Sequence, residues 1–77
     1  MKVLLFAQLE EVVGDREIEI NSAPLTVKQF KHVLREKYPD LPPLDNTIIA
    51  VNEEYVKDDA VINENDVIAL IPPVSGG

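Results

Sequence analysis

The last six residues of the sequence carry the one group that we expect to do chemistry, the α-carboxylate of Gly77. These residues are Pro72, Pro73, Val74, Ser75, Gly76 and Gly77. A carboxylate is a poor electrophile, but a mixed anhydride with AMP would give it a good leaving group. A sulfur nucleophile would then produce a thiocarboxylate, whereas a lysine amine would produce an isopeptide bond. Both products suit a chain without cysteine, because the reactive group lies on the backbone.

The composition of the tail predicts how that carboxylate would be delivered. Pro72 and Pro73 cannot continue a central strand and favour an extended, semi-rigid spacer. Six extended residues reach roughly 20 Å. Gly76 and Gly77 have no Cβ, so they can pass through a narrow channel and approach another backbone closely. We therefore predict that Gly77 is the reactive residue and that Gly76 lets the tail thread into a partner.

Length and charge limit the classes of protein to consider. The chain has 77 residues and a formal net charge of -7, and it contains no cysteine. One domain is expected, with no disulfide and no cysteine-bound metal. The negative charge disfavours nucleic acid and favours a partner with a basic docking surface, although it could also serve solubility alone. No signal peptide or membrane span is evident, and we expect a cytoplasmic protein.

The first half of the chain predicts a β-hairpin followed by a helix. An apolar strand is expected from Lys2 to Leu9, with a break at Gly14 and a second, alternating strand over 16–20. Thr26 is a good helix N-cap, and a glutamine three residues later completes a capping box. Apolar residues then recur at helical spacing until Pro39, which stops the helix.

The second half predicts three further strands. They span Thr47–Val51, Tyr55–Val56 and Val67–Ile71, and we expect Asn65 to adopt a left-handed conformation in the turn before the last strand. The element order indicates an α+β, single-domain β-grasp (ubiquitin-like) fold, with one main helix on one face of a mixed sheet of four to five strands. The first and last strands would run parallel at the centre. The domain would cover residues 1–71 and the extended tail residues 72–77.

Two predicted strands carry more apolar residues than one helix can cover. Because side chains alternate along a strand, Leu4 and Phe6 must point away from the helix if Val3 and Leu5 face it. Ile71 follows the same rule in the last strand. We therefore predict an exposed apolar patch of Phe6, Ile71 and Tyr55 near the root of the tail, which is typical of partner sites. A covering loop is the alternative.

The remaining polar side chains predict no second site. His32, the single histidine, is expected on the helix surface. The carboxylates of the late loops lack the spacing of a calcium loop, so we expect them to be solvated and no metal or cofactor to be bound. These carboxylates belong to Asp58, Asp59, Glu64 and Asp66.

Three segments match a known family: VLLFAQLEEVVG at 3–14, AVNEEYV at 50–56 and NENDVIALIPPVSGG at 63–77. They resemble the MoaD/ThiS family of ubiquitin-like sulfur carriers, and the ending ALIPPVSGG is most similar to the MoaD type, the small subunits of molybdopterin synthase. Residues 20–47 match only in pattern. The family usually has glycine at the position of Asn65, a residue that tolerates the same dihedral angles.

This resemblance implies a mechanism and a set of partners. An adenylating enzyme of the MoeB type would consume ATP to activate Gly77, and a sulfurtransferase would supply sulfur for a thiocarboxylate. The tail, with Pro72–Ser75, would insert into a MoaE-like large subunit, which carries the catalytic side chains. Sulfur would pass to cyclic pyranopterin monophosphate to build the dithiolene of molybdopterin, in a two-plus-two heterotetramer. Phe6, Tyr55 and Ile71 match family positions that contact partners.

Other functions of such a tail remain open from the sequence. The same sulfur chemistry serves thiazole synthesis and tRNA thiolation, with a different recipient. A ubiquitin-like protein modifier would instead form lasting conjugates with lysine. A β-grasp interaction module with an inert tail is the fourth possibility, and it differs from the first three because deletion of Gly77 would leave its activity intact.

Overall fold

A computed structural model of the chain describes residues 1–22 and 24–72. These residues form seven strands and two helices. The strands are β1 (Lys2–Leu5), β2 (Glu17–Glu19), β3 (Leu25–Thr26), β4 (Ile48–Val51), β5 (Glu54–Val56), β6 (Val61–Ile62) and β7 (Val67–Ile71), and the helices are α1 (Ala7–Val13) and α2 (Val27–Lys37).

Five strands form one mixed sheet in the order β2-β1-β7-β4-β5. β1 and β7 run parallel and pair from Lys2 with Val67 to Leu5 with Leu70, while the other neighbours are antiparallel. The predicted parallel pairing of the first and last strands is confirmed. β3 and β6 form a separate two-stranded pair. The last strand thus lies in the middle of the sheet, and the tail continues from it.

The start of α2 has the local chemistry that the sequence predicts. The Gln29 amide donates to Thr26 Oγ1 at 3.1 Å, and the Thr26 amide donates to Gln29 Oε1 at 2.9 Å. This reciprocal pair satisfies two amides that a helix start otherwise leaves without partners. The helix ends at Lys37, and Tyr38 caps it just before Pro39.

The hydrophobic core lies between α2 and one face of the sheet, which we call the inner face. Val27, Phe30 and Leu34 are the buried residues of α2. On β1 and β7 the alternate residues are fully buried, with 0% exposure, and these are Val3, Leu5, Ile68 and Leu70. Burial of such side chains contributes roughly 1.5–3 kcal/mol each, which makes this face the main source of stability in a small domain.

The prediction of a first strand as far as Leu9 is wrong, because the chain turns into α1 after Leu5. The helix brings Leu9 into the core, where it is 1% exposed. Gly14 ends the helix with φ 85°, and its amide donates to the Glu10 carbonyl at 2.8 Å. The run AQLEE has good helix propensity, but two valines separate it from Gly14, so the sequence carries only a weak helix signal here.

The asparagine with a left-handed backbone conformation lies in a different turn from the one predicted. Asn65 does not have a positive φ, whereas Asn52 and Glu53 have φ values of 52° and 72°. These two residues connect β4 to β5, because Val51 and Glu54 form the last pair of that hairpin. Two consecutive positive φ values suit the right-handed twist of a two-residue hairpin, and asparagine favours the first position.

Asp66 joins the turn between β4 and β5 to the turn that precedes β7. Its Oδ2 accepts from the Asn63 amide at 2.8 Å and its Oδ1 accepts from Asn52 Nδ2 at 3.0 Å. Asn52 Oδ1 in turn accepts from the Val67 amide at 3.0 Å. The hydrogen bonds from Asn63 and Asn52 lower the pKa of Asp66, because they favour the ionised carboxylate. The network holds the first residue of β7 in register with β4.

Candidate functional site

The face of the sheet opposite α2, here called the outer face, is apolar across its centre. One row runs directly across neighbouring strands: Leu4 lies opposite Ala69, Ala69 opposite Ala50, and Ala50 opposite Tyr55. Glu17 ends the row on β2. Since residues in one row point to the same side, this row carries small and aliphatic side chains on the side of the sheet that α2 does not cover, with Ala50 itself only 5% exposed.

A second apolar row lies at the end of the sheet where the tail begins. Ile71 is half-buried and lies opposite Ile48, which is 41% exposed. Phe6 follows β1 with an extended backbone, φ -127° and ψ 153°, so it continues the alternation of the strand on the side of Leu4. Phe6 is 43% exposed. We call Phe6, Ile48 and Ile71 the tail-root patch.

The structure places the three predicted patch residues on one face but not in one cluster. Phe6 and Ile71 flank the adjacent ends of the two central strands. Tyr55 lies on the edge strand β5, with β4 between it and β7, so it is displaced sideways by roughly 10 Å from Ile71. Its side chain is 78% exposed. The predicted patch is therefore a broad surface with Tyr55 at its margin.

Sequence reasoning missed Ile48, which lies next to Ile71 in the register. The signal was the alternation of TIIAV: Ile49 is buried in the core, so its neighbour must point outward. Val67, 37% exposed, also lies on the outer face, as the alternation along the last strand predicts. It pairs with Lys2 at the other end of the same strands.

The turn from β1 into α1 determines how Phe6 is presented. Ala7, the first residue of the helix, has φ 52°, a left-handed conformation that costs an alanine about 1–2 kcal/mol. This turn ends the strand directly after Phe6 and sends the chain away from the outer face. Burial of Leu9 in the core offsets the strain and holds α1 in place.

Two exposed ion pairs lie at the β2 edge of the outer face. Lys2 Nζ is 3.9 Å from Glu17 Oε2, and Arg16 Nε is 4.0 Å from Glu10 Oε1. Exposed pairs of this length contribute little to stability. They form a polar border beside an apolar surface, which is the usual composition of a protein interface.

The tail itself is described only at its first residue. Pro72 is half-buried and directly follows β7. The predicted site residues Pro73, Val74, Ser75, Gly76 and Gly77 lie outside the described residues, so their roles stay predictions. Within residues 1–22 and 24–72, no three side chains of the metal-binding types form a cluster.

Neither helix of the described part of the chain has the length and apolar character needed to cross a membrane.

His32 lies on the exposed side of α2, as predicted, and its Nε2 is 3.0 Å from Glu36 Oε1 one helical turn away.

A parallel β1–β7 pair at the centre of a mixed sheet and one long helix across the inner face define a ubiquitin-like β-grasp protein. Within that class the chain belongs to the ThiS family, whose profile matches residues 3–77. The confirmed fold and the family match agree with the resemblance of the three sequence segments.

Individual relatives cover nearly the whole chain. The molybdopterin synthase sulfur carrier subunit of Dictyostelium discoideum is 42% identical over 99% of this chain and 94% of its own length. Small archaeal modifier protein 1 of Haloferax volcanii has a similar structure, with a TM-score of 0.76, 27% identity and coverage of 96% and 97%. A complex of subunits 1 and 2 of molybdopterin-converting factor from Helicobacter pylori contains a chain with a TM-score of 0.68, 26% identity and coverage of 99% and 96%.

Proposed function

We propose that this protein is the sulfur carrier subunit of a molybdopterin synthase. The observation that carries the proposal is the 42% identity, over nearly all of both chains, to a relative that bears this name. The geometry supports it, because the tail that ends in Gly76 and Gly77 starts at the central strand beside an uncovered apolar face. A carrier needs this combination, since it must dock on enzymes while its chain end reaches into them.

The proposed chemistry takes place at the carboxyl group of Gly77. A carboxylate oxygen attacks the α-phosphorus of ATP, and pyrophosphate leaves with the formation of an acyl adenylate. A hydrosulfide ion then attacks the carbonyl carbon, AMP leaves, and loss of the sulfur-bound proton gives the thiocarboxylate. Glycine suits this step, because no side chain hinders the approach to the carbonyl. In the cell a sulfurtransferase would deliver the sulfur and an adenylating enzyme of the MoeB type would catalyse the activation.

The proposed principal partner is a MoaE-like large subunit. The Helicobacter pylori neighbour, which is a complex of subunits 1 and 2, supports an assembly of this kind. We propose that the large subunit covers the outer face, with the tail-root patch and Tyr55 in contact, and that Pro72–Ser75 guide the tail into its active site. There the thiocarboxylate donates sulfur to cyclic pyranopterin monophosphate, and two transfers complete the dithiolene. The catalytic side chains would belong to the large subunit, and the cytoplasm is the proposed compartment.

A second candidate function is that of a ubiquitin-like modifier. The similarity to small archaeal modifier protein 1 favours it. Activation of Gly77 would be the same, but a lysine amine of another protein would displace AMP and give an isopeptide bond. Carriers for thiazole synthesis or tRNA thiolation would share the thiocarboxylate and differ only in the recipient.

Intact mass spectrometry separates these candidates. The full-length protein is incubated with the adenylating enzyme, ATP and sodium sulfide, and then with the large subunit and pterin precursor. We expect a mass gain equal to one exchange of oxygen for sulfur, located at Gly77 and lost on the second incubation. Deletion of Gly77 should abolish the gain, whereas Val61→Ala, at an exposed position on β6 that is outside the tail, should retain it. Absence of any exchange, or lysine conjugates in its place, would refute the carrier function.

A further inference from the structure

The positive charge of this acidic protein is concentrated on one helix. α2 carries four of the seven lysines and arginines but only one of the fourteen acidic residues. The helix lies on the inner side of the sheet, so its exposed surface faces away from the outer face and the tail-root patch. The proposed carrier function does not use this surface.

Four of the α2 side chains form a basic stripe along one wall of a groove. Lys28, Lys31, His32 and Arg35 occupy positions i, i+3, i+4 and i+7, which lie on one side of a helix. The groove has a volume of about 280 Å³. The opposite wall consists of Pro43, Leu44, Asp45 and Asp58.

One of the three lysines and arginines in this groove forms an ion pair within the protein, and the other two can pair with a ligand. Lys31 Nζ contacts Asp58 Oδ1 at 2.9 Å, and its side chain is only 14% exposed, so its charge is used within the fold. Lys28 and Arg35 are exposed. Within residues 1–22 and 24–72, neither of them has a carboxylate within 4.0 Å. Two unneutralised cations, seven residues and about 10 Å apart along the helix, therefore face solvent.

A second groove follows the other side of the stripe and is mainly apolar. It has a volume of about 610 Å³ and shares Lys28 and His32 with the first groove. Pro24, Leu25 and Val33 supply its apolar surface. A ligand that lies across α2 would thus meet cations on the ridge and an apolar hollow beside it.

We propose that the exposed face of α2 is a second docking surface, which binds a short acidic segment of a protein partner. Carboxylates of the segment would pair with Lys28 and Arg35, and an adjacent apolar side chain would enter the groove beside Val33. Charge complementarity supports this occupant. Because screening limits fields to about 8 Å at physiological salt, a short segment meets the local positive charge rather than the net charge of the protein.

A peptide fits this surface better than a nucleic acid does. The protein has a net charge of -7, and both Asp45 and Asp58 lie in the polar groove. A nucleic acid carries a negative charge at every nucleotide, whereas a peptide can place carboxylates beside the two cations and an uncharged residue beside these two aspartates. Among the described residues that line the apolar groove there is no phenylalanine, tyrosine or tryptophan on which a base could stack, and the His32 ring lies 3.0 Å from the Glu36 carboxylate.

The docking surface would remain accessible while the outer face is covered. α2 and the large-subunit surface lie on opposite sides of one sheet, so a partner on α2 could hold the carrier while its tail is engaged elsewhere. The proposal does not depend on sulfur transfer, and its test requires neither ATP nor the adenylating enzyme.

Titration of the isotopically labelled full-length protein with a synthetic peptide tests the proposal. The probe is the acetylated octapeptide Glu-Glu-Leu-Glu-Glu-Leu-Glu-Glu, and the matched control peptide has glutamine at every glutamate. We expect the acidic peptide to shift amide signals at Lys28, His32, Arg35 and Leu44 and to bind more weakly as salt is added. Shifts confined to the outer face, or equal binding of the glutamine peptide, would overturn the proposal.

Charge reversal on and off the helix provides the second test. The double substitution Lys28→Glu and Arg35→Glu should weaken peptide binding about tenfold, since two rim charges change from attractive to repulsive. Lys2→Glu with Arg16→Glu makes the same change in net charge at the β2 edge of the sheet, away from α2, and should alter binding less than about twofold. Lys28→Gln with Arg35→Gln serves as a milder variant if reversal disturbs the helix. Equal weakening by both reversed pairs, or tighter binding of an eight-nucleotide oligothymidylate, would refute the docking surface.

Discussion

The inner and outer faces of β1 and β7 are built from the same two stretches of chain but serve different purposes. On the inner face, Leu5 and Leu70 are fully buried under α2. On the outer face, Leu4 and Ile71 are equally apolar, yet no helix covers them and both remain partly accessible. Adjacent residues in the sequence therefore separate into a set that stabilises the fold and a set that is available to a partner.

This difference follows from geometry rather than from composition. Side chains alternate along a strand, and a single main helix can cover only one side of a sheet. A small domain with apolar residues on both faces of its sheet is prone to aggregate through the face that its helix does not cover. Binding of a partner commonly covers such a face. The outer face is thus explained by binding, whereas the inner face is explained by folding.

The largest expected effect comes from matched truncations on the two faces. Leu5→Ala should lower the free energy of unfolding by about 2–5 kcal/mol, because it opens a cavity in the core. For a domain of this size the melting temperature should fall by at least about 10 °C. Leu4→Ala should cost less than about 1.5 kcal/mol, since Leu4 already contacts solvent. Urea denaturation measures the free energy of unfolding of both variants. Equal losses of unfolding free energy in the two variants would contradict the conclusion that the inner face, and not the outer face, stabilises the fold.

The second expected effect concerns binding by the outer face. Ile48→Asp should weaken binding to the large subunit at least about tenfold, because it places an unpaired carboxylate in an apolar contact. The free energy of unfolding should change by less than about 1 kcal/mol, since the side chain is exposed. Calorimetric titration measures the affinity. Val61→Asp is the control, because Val61 is 57% exposed but lies on β6, away from the outer face. An equal loss in both variants would argue against a local interface.

A smaller effect is expected at the N-cap of α2, which supports only the inner face. Thr26→Ala removes the side-chain acceptor for the Gln29 amide and should destabilise the protein by about 1 kcal/mol. Thermal unfolding measures the change. Thr26→Ser keeps the acceptor and should restore most of the stability. Affinity for the large subunit should stay unchanged in both variants, and a parallel loss of affinity would show that the two faces are coupled.

The smallest expected effect is a pH dependence at Asp66. Its pKa in the folded state is lowered by hydrogen bonds from the Asn63 amide and the Asn52 side chain. A lowered folded pKa contributes stability above the unfolded value of about 3.9, and that contribution is lost as the pH falls through the folded pKa. Unfolding free energies measured between about pH 6 and pH 2 should therefore decline more steeply in the native protein than in Asp66→Asn. If the two pH profiles run parallel, ionisation of Asp66 does not contribute to the stability of the hydrogen-bond network at the start of β7.

Several elements were predictable because their signals lie within a few consecutive residues. The capping box of Thr26 and Gln29 is one such signal, and strict alternation in β7 is another. The pairing of β1 with β7 followed from the element order, since β-hairpins and helical crossovers allow few arrangements. The orientation of Phe6 and Ile71 toward the outer face followed from alternation alone.

Other features could not be derived from local patterns. α1 contains seven residues and only one buried side chain, Leu9, so its periodicity is too short to separate it from a strand. The left-handed turn was assigned to Asn65, although Asn52 is an equally suitable asparagine. A local pattern could not distinguish the two, because the closing pair Val51–Glu54 is set by strand pairing.

The sequence by itself determined the β-grasp order of elements, the cap of α2 and the chemistry available at Gly77, because propensity, periodicity and functional groups are properties of contiguous residues. Only the tertiary structure decided that Ile48 joins Phe6 and Ile71 in one patch, that Tyr55 lies at its margin, and that Lys28 and Arg35 border a groove formed with residues 43–45. These juxtapositions depend on strand register and helix packing, which bring together residues that are far apart along the chain.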